Sequence, residues 1–188
     1  MYENIIKRSI DVIIALLYIV IFSPLYIILF LLILLGDFNS PIFKQKRIGR
    51  HKKIFTLYKF RSMPVSTGDV ASSETSKIKI TKVGKLIRRT NLDEIPQVFN
   101  VLIGDMSFIG PRPSIVTQTD LIALREKSNV YKSRPGLTGY AQVNSYDFMP
   151  IEEKVKFDSE YIKKVSFLFD SKIFFQTFLY LIKKPPTY

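Results

Sequence analysis

No cysteine or tryptophan occurs in the 188 residues, and histidine occurs once, at His51. Without cysteine there is no disulfide framework, no thiol nucleophile and no zinc–thiolate site. One histidine excludes a multi-histidine metal centre. Acidic side chains are also scarce: 16 Asp and Glu stand against 28 Lys and Arg, a net charge of +12. That excess points to anionic partners, whether lipid headgroups, phosphorylated small molecules or nucleic acid. No helix-turn-helix, RNA-recognition or zinc-finger spacing is visible in the sequence, so nucleic acid is set aside.

What the chain does have is one long apolar run. From Val12 to Leu35 only Ser23 and Pro24 are not apolar. At about 1.5 Å per residue the run is long enough to cross a hydrocarbon core of about 30 Å. Lys7 and Arg8 resemble the start of a signal peptide, but the run is too long for one and Gly36-Asp37-Phe38-Asn39 is a poor cleavage site. Residues 1–40 therefore read as a membrane anchor and residues 41–188 as a domain outside the bilayer. Pro24 removes a helical hydrogen bond, so a kink is expected there, with Ser23 able to satisfy the freed carbonyl. Two topologies follow. One is a kinked spanning helix, which the residues by themselves favour. The other is a re-entrant helix–break–helix that enters and leaves by one face, each half reaching roughly 17 Å. Lys44, Lys46, Arg47, Arg50, Lys52 and Lys53 place the following domain on the cytoplasmic side. Lys7 and Arg8 argue mildly for the N-terminus there too, offset by Glu3 and Asp11.

The positive excess sits in the middle, where residues 51–144 carry 15 basic and 7 acidic side chains. Ile42–Lys46 and Ile54–Phe60 alternate well enough for a short hairpin. Helices are expected at Val83–Arg89, from near Asp93 to Leu102 with Gly104 just beyond, and over Ile115–Glu126, Glu152–Lys164 and Phe167–Ile182. Short strands are expected at Ser107–Ile109 and around Leu137–Val143, and residues 64–76 read as a mobile loop. The mixture predicts an α+β fold, with several helices and short strands. The last helix is aromatic-rich and bracketed by lysines, which suits a core helix, an interfacial amphipathic helix, or both.

Asp93 and Glu94 put two adjacent carboxylates at a predicted helix start, with Asn91 or Asp93 as the cap. There the helix dipole would favour the ionised forms. Adjacent helical residues point about 100° apart, a poor arrangement for two carboxylates facing across a glycosidic bond. One nucleophile beside one metal or proton handler suits it better. Lys59, Arg61, Arg88, Arg89, Arg112 and Arg134 lie near predicted element ends, where guanidinium forks can take phosphate oxygens. Arg112 stands between Pro111 and Pro113, which pre-set its backbone.

These blocks carry a resemblance. Lys7-Arg8-Ser9-Ile10-Asp11, Ser23-Pro24, Phe43-Lys44-Gln45-Lys46-Arg47-Ile48-Gly49, Tyr58-Lys59-Phe60-Arg61-Ser62-Met63, Leu92-Asp93-Glu94-Ile95-Pro96-Gln97, Gly110-Pro111-Arg112-Pro113, Arg134-Pro135-Gly136 and Gln142-Val143-Asn144 follow one another as in the bacterial sugar transferases. The chain resembles the small monotopic phosphoglycosyl transferases of that family, which act on polyprenol phosphate, in their minimal form. The resemblance implies that Asp93 attacks the β-phosphate of a UDP-sugar, releasing UMP, and that polyprenol (undecaprenyl) phosphate then takes the phosphosugar. It implies Asp93 and Glu94 as a catalytic dyad with Mg²⁺, leaving open which carboxylate touches the metal. It also implies Arg88 and Arg112, with Lys59 and Arg134, as phosphate-binding residues, and Pro111-Arg112-Pro113 as a nucleotide-binding segment.

The family's Ser-Pro break reverses the topological preference, to a re-entrant anchor at the cytoplasmic face of the bacterial inner membrane, with downstream glycosyltransferases as possible partners. After Asn144 the family continuation Gly-Arg-Asn is replaced by Ser145-Tyr146-Asp147, so the sugar is not readable. The competing class is a non-catalytic, basic membrane-surface protein that binds anionic lipid.

Overall fold

A computed structural model describes residues 2–63, 82–146 and 149–183. The predicted loop at 64–76 lies outside them. A π-helical turn, Tyr2–Ile6, leads into α1 (Lys7–Asp37). A hairpin follows, in which β1 (Ile42–Ile48) pairs antiparallel with β2 (Ile54–Phe60) in a register that sets Phe43 opposite Lys59. After α2 (Lys82–Arg89), a 3₁₀ turn (Leu92–Glu94) and α3 (Gln97–Ile103), the chain forms β3 (Ser107–Ile109), β4 (Ser114–Ile115) and α4 (Thr119–Lys127). It ends with β5 (Gly136–Thr138), α5 (Tyr140–Val143), α6 (Ile151–Lys164) and α7 (Phe167–Lys183). The described strands form a three-stranded sheet, ordered β2-β1-β4, and a parallel pair, β3 and β5. The α+β expectation holds.

Three element expectations are corrected. Ile115 is a strand residue paired with Arg47, and the chain turns there because the Gln118 side chain accepts the Ile115 N–H at 2.9 Å, so α4 starts only at Thr119. The strand expected over Leu137–Val143 stops at Thr138, since Gly139 packs its backbone against Gly110 and α5 begins at once. A Cβ at Gly139 would collide with the Gly110 carbonyl, so this crossing needs glycine. Neither Asn91 nor Asp93 caps α3: Asn91 is left-handed at φ 55°, and α3 starts at Gln97 with no side-chain cap.

α1 is the one described helix long and apolar enough to cross a membrane. It is continuous through Pro24, so the predicted break is not an interruption of the helix. Proline cannot donate to the carbonyl four residues back, Val20 O. The Ser23 hydroxyl donates to that oxygen at 2.9 Å, which makes good the loss.

α1 also packs along nearly its whole length on the rest of the protein. Near its start Arg8 donates to the carbonyls of Val101 and Leu102 at the end of α3, and Asp11 accepts from the Ser107 hydroxyl and the Phe108 N–H. Ala15 is buried with Phe55, Leu57, Val98, Val101 and Met106, while Leu29 and Ile33 are buried with Phe60, Ile87 and Ile95. The opposite face of α1, including Val20, Ile21, Leu31 and Leu35, is exposed. α7 behaves likewise: Asp170 and Ile173 point inward, and Phe174, Phe175 and Phe178 are exposed. The core-helix expectation is met on its inward face, and the outward aromatic face is left exposed.

Two polar contacts fix the frame. Asn100 on α3 is fully buried, takes the Tyr58 N–H at 3.1 Å and donates to Thr56 O at 2.7 Å, which docks α3 on the edge strand β2. Asp170 on α7 accepts from Lys7 Nζ at 2.5 Å, Tyr2 Oη at 2.6 Å and Tyr161 Oη at 2.9 Å, tying α7 to the start of α1. Removing one partner from a buried ion pair strands the other charge. Asp170→Asn is therefore expected to cost about 3–5 kcal/mol, read as a lowered unfolding midpoint in detergent micelles. An unchanged midpoint would show that Lys7 is solvated rather than paired.

Candidate active site

Asp93 and Glu94 sit in the 3₁₀ turn between α2 and α3, a turn fixed by Asn100 docking α3 on β2 and by Ile95 inserting into the core. Lys59, the next-to-last residue of β2, reaches both carboxylates: its Nζ is 2.6 Å from Glu94 Oε1 and 3.9 Å from Asp93 Oδ2. Arg112, between β3 and β4, places Nη2 at 2.8 Å from the same Glu94 oxygen. Arg88, the next-to-last residue of α2, is buried, and its charge acts on Asp93 together with those of Lys59 and Arg112. Four of the predicted residues, Lys59, Arg88, Asp93 and Glu94, thus meet Arg112 in one cluster.

Arg134 does not join them. Its Nε donates to Gly104 O at the far end of α3, and the charges acting on it are those of Arg50, Arg8, Asp11 and Glu3. The seven residues of α3, roughly 10 Å of helix, lie between Gly104 and the turn that holds Asp93. The turn at Arg134-Pro135-Gly136 instead supports Pro111, whose carbonyl accepts the Gly136 N–H at 3.0 Å.

The two carboxylates have different environments. Burial would raise the Glu94 carboxyl, but the Arg112 guanidinium and the Lys59 ammonium, which both hydrogen-bond it, hold it well below the usual range. Asp93 is pushed up, chiefly by burial and secondarily by the Glu94 charge, against the pull of Lys59, Arg88 and Arg112. Its Oδ1 is buried and has no hydrogen-bond partner among the described residues. The cations, and not a helix dipole, are what keep Asp93 ionisable as an anion. One carboxylate is locked in ion pairs; the other has an oxygen available for chemistry.

Arg112 also lines a cavity of about 310 Å³ with Arg47, Arg125, Lys154, Gln118 and Gln142. Ser145, at the start of the stretch that departs from the family pattern, reaches the same cavity. Residues 147–148 of that stretch lie outside the described residues. The Tyr146 hydroxyl donates to Glu153 Oε2 at 2.5 Å. Burial, then the Arg125 and Arg112 charges, lowers the Lys154 pKa, partly offset by Asp158.

Sequence reasoning missed Arg47, Arg125, Lys154 and Asp158. Arg125 and Asp158 form an ion pair at 2.6 Å whose side chains are 2% and 1% exposed. A signal existed: Asp158 lies three residues after Val155 and three before Tyr161, on the buried face of α6, where a carboxylate is out of place unless paired. Among the described residues no group of three or more His, Cys, Asp or Glu could hold a metal ion. A cation at Asp93 and Glu94 would have two carboxylates from the described residues.

Asp93, buried and with an oxygen that has no hydrogen-bond partner among the described residues, thus stands among the charges of Lys59, Arg88 and Arg112, and Arg112 also lines the basic cavity. The profile described as "Bacterial sugar transferase" matches residues 2–184, and the chain belongs to that family. It is 37% identical over 184 residues to the UDP-glucose:undecaprenyl-phosphate glucose-1-phosphate transferase of Escherichia coli, covering 93% of this chain and 40% of that protein. To the undecaprenyl-phosphate galactose phosphotransferase of Salmonella typhimurium it is 35% identical, over 97% of this chain and 42% of the relative. The chain therefore spans less than half the length of these two relatives. The exopolysaccharide production protein ExoY of Sinorhizobium fredii is matched over 83% of its own length, at 34% identity and 91% of this chain.

The electrostatics make a prediction that needs no turnover. A carboxyl-carbon NMR titration should place Asp93 above an ordinary aspartate. Lys59→Met should move it further up, because a stabilising cation is lost, and Glu94→Gln should move it down, because a repelling charge is lost. Shifts of the opposite sign would refute this charge assignment.

Proposed function

We propose that the chain is a phosphoglycosyl transferase that moves a phosphosugar from a UDP-sugar to polyprenol phosphate, releasing UMP. The observation that carries this reading is the pairing of a partnerless, buried Asp93 oxygen with the surrounding Lys59, Arg88 and Arg112 charges. The matched relatives whose names print a donor and undecaprenyl phosphate support the substrate classes.

In the first step an Asp93 oxygen attacks the β-phosphorus of the donor. A new P–O bond forms to the carboxylate, the bond from that phosphorus to the bridging oxygen breaks, and UMP leaves with the electron pair as an anion. In the second step a phosphate oxygen of the lipid attacks the same phosphorus, and the bond to Asp93 breaks to restore the carboxylate. No proton has to move in the displacement itself, which suits a site with no histidine in the cluster. Arg112 and Arg88 take diphosphate oxygens, and Arg112 with Pro113 also borders the cavity that receives the nucleotide, Pro111 lying just beyond its lining. Glu94 orders the site by holding Lys59 and Arg112 in place.

Mg²⁺ fits this residue set. Two carboxylates, one with an unused oxygen, are the protein share of a site in which phosphates and water supply the remaining ligands, the usual manner of Mg²⁺. When bound it would offset charge on the diphosphate and leaving group. Asp93 and Glu94 are the residues that would hold it.

The membrane arrangement proposed is monotopic and re-entrant, with α1 entering and leaving by one face as a single helix through Pro24 rather than as two helices parted by a break, at the cytoplasmic face of the bacterial inner membrane. Arg8 at one end of α1 and Ile33 near the other both pack on the same folded body, roughly 38 Å apart along the helix. A helix perpendicular to the bilayer and gripped at both ends would drag that body through the hydrocarbon. With both ends on one face, the exposed side of α1 and the aromatic side of α7 take up the lipid contact. Residues 1–40 then serve as the anchor and 41–188 as the catalytic domain, and α1 shares its core with that domain.

A panel of UDP-sugars assayed with polyprenol phosphate tests the chemistry. Wild-type protein should release UMP with at least one donor, EDTA should stop it, and Asp93→Asn should abolish it while leaving membrane association intact. Undiminished release by Asp93→Asn would sink the assignment. No turnover with any donor, together with salt-sensitive vesicle binding, would favour the lipid-binding alternative. Topology has its own readout: cysteines introduced one at a time at both ends of α1 should be labelled from the cytoplasmic side only. Labelling of either end from outside rejects the re-entrant arrangement.

A further inference from the structure

The segment Pro111-Arg112-Pro113 is held in an unusual way. Its two prolines have no N–H, so the main chain there offers mostly acceptors. Each of its three consecutive carbonyls has a donor from a different element. Pro111 O accepts the Gly136 N–H of β5 at 3.0 Å, Arg112 O accepts Arg125 Nη1 of α4 at 2.7 Å, and Pro113 O accepts Arg47 Nη1 of β1 at 3.0 Å. The two arginines are themselves fixed. Arg125 Nε and Nη2 donate to Asp158 Oδ2 at 2.9 and 2.6 Å, and its Nη1 also reaches Ser114 Oγ at 2.7 Å. Arg47 Nη2 donates to Gln45 Oε1 at 2.5 Å.

We propose that Arg47 and Arg125 are positioning residues for Arg112, gripping its backbone through consecutive carbonyls so that its guanidinium is aimed at Glu94 and an incoming diphosphate. The inference rests on the functional reading above. The Arg112 side chain is 42% exposed, so its aim is set at one end by the Glu94 contact and at the other by its backbone. Hydrogen bonds from charged donors are the stronger kind, and two of them on neighbouring carbonyls leave the segment little freedom to tilt. A displacement of about 1 Å in a positioning group can cost on the order of 10²-fold in rate. Both arginines also line the cavity beside Arg112, so their charge and their grip must be separated experimentally.

Arg47→Lys makes that separation. It keeps the positive charge but loses the planar fork that holds Pro113 O and Gln45 Oε1 together. In otherwise wild-type protein it should lower kcat/KM for the donor about 10-fold, dividing between kcat and KM as Arg112→Lys does. In an Arg112→Lys background the same substitution should cost less than about 2-fold, because the group it positions is already gone. Arg125→Lys repeats the cycle on the neighbouring carbonyl, so the result does not hang on the folding of one variant. Equal losses in both backgrounds, or full activity of Arg47→Lys, would overturn the positioning role and leave the phosphoglycosyl transferase reading standing. A wild-type chain that releases UMP from no donor would overturn both.

Discussion

Glu94 is the residue on which the site depends. One of its oxygens accepts from Lys59 at 2.6 Å and from Arg112 at 2.8 Å, which joins a strand, a turn and a proline-bounded loop from three distant parts of the chain. Without that shared acceptor, Lys59 and Arg112 would be cations converging on a buried aspartate with nothing to fix their separation. With it, their charges are partly neutralised and their positions set before any ligand arrives. That is preorganisation: the cost of assembling the site is met during folding rather than during binding.

The same residues connect the site to the apolar anchor. Phe60, Ile87 and Ile95 are buried against Leu29 and Ile33 of α1, and each is the immediate neighbour in sequence of a charged site residue: Lys59, Arg88 and Glu94. Successive residues on a strand face opposite ways, and adjacent residues on a helix or turn diverge widely. The wall between the anchor and the carboxylate pair is therefore one residue thick at three separate points. In the proposed reaction a lipid phosphate and a soluble nucleotide meet at one phosphorus atom, and a wall of this kind places charge chemistry directly beside an apolar surface.

Much of this was legible in the sequence, for identifiable reasons. The apolar run, the hairpin and α7 carry strong periodic or compositional signals, and the Ser23-Pro24 pair announces both the missing hydrogen bond and its remedy at Val20 O. Lys59, Arg88, Arg112, Asp93 and Glu94 could be named from residue type and family resemblance. Arg134 could not be told from them, because a basic residue near a turn looks the same whether it faces a carboxylate cluster or, as in the fold, the Gly104 carbonyl just past α3. The start of α3 was misplaced because an Asp-Glu-Ile-Pro sequence fits a helix cap and a 3₁₀ turn equally well. Arg125 and Asp158 were invisible because their significance is a contact across 33 residues.

The misplaced helix start changes the chemistry more than the outline of the fold. A carboxylate at a helix N-terminus would be held ionised by backbone N–H groups, and those same bonds would occupy the oxygens that a nucleophile needs. Asp93 avoids that conflict. Its charge is favoured from a distance by Lys59 at 3.9 Å, Arg88 and Arg112, while its Oδ1 is left without a partner. Burial raises the cost of that charge, and a costly carboxylate is the more basic one, so the desolvation that hinders its ionisation also strengthens it as a nucleophile once ionised. Glu94 commits one oxygen to two cations, and in the proposed reaction it is Asp93 that acts as the nucleophile. The division of labour between two adjacent carboxylates follows from which of them the neighbouring cations touch and which they only face.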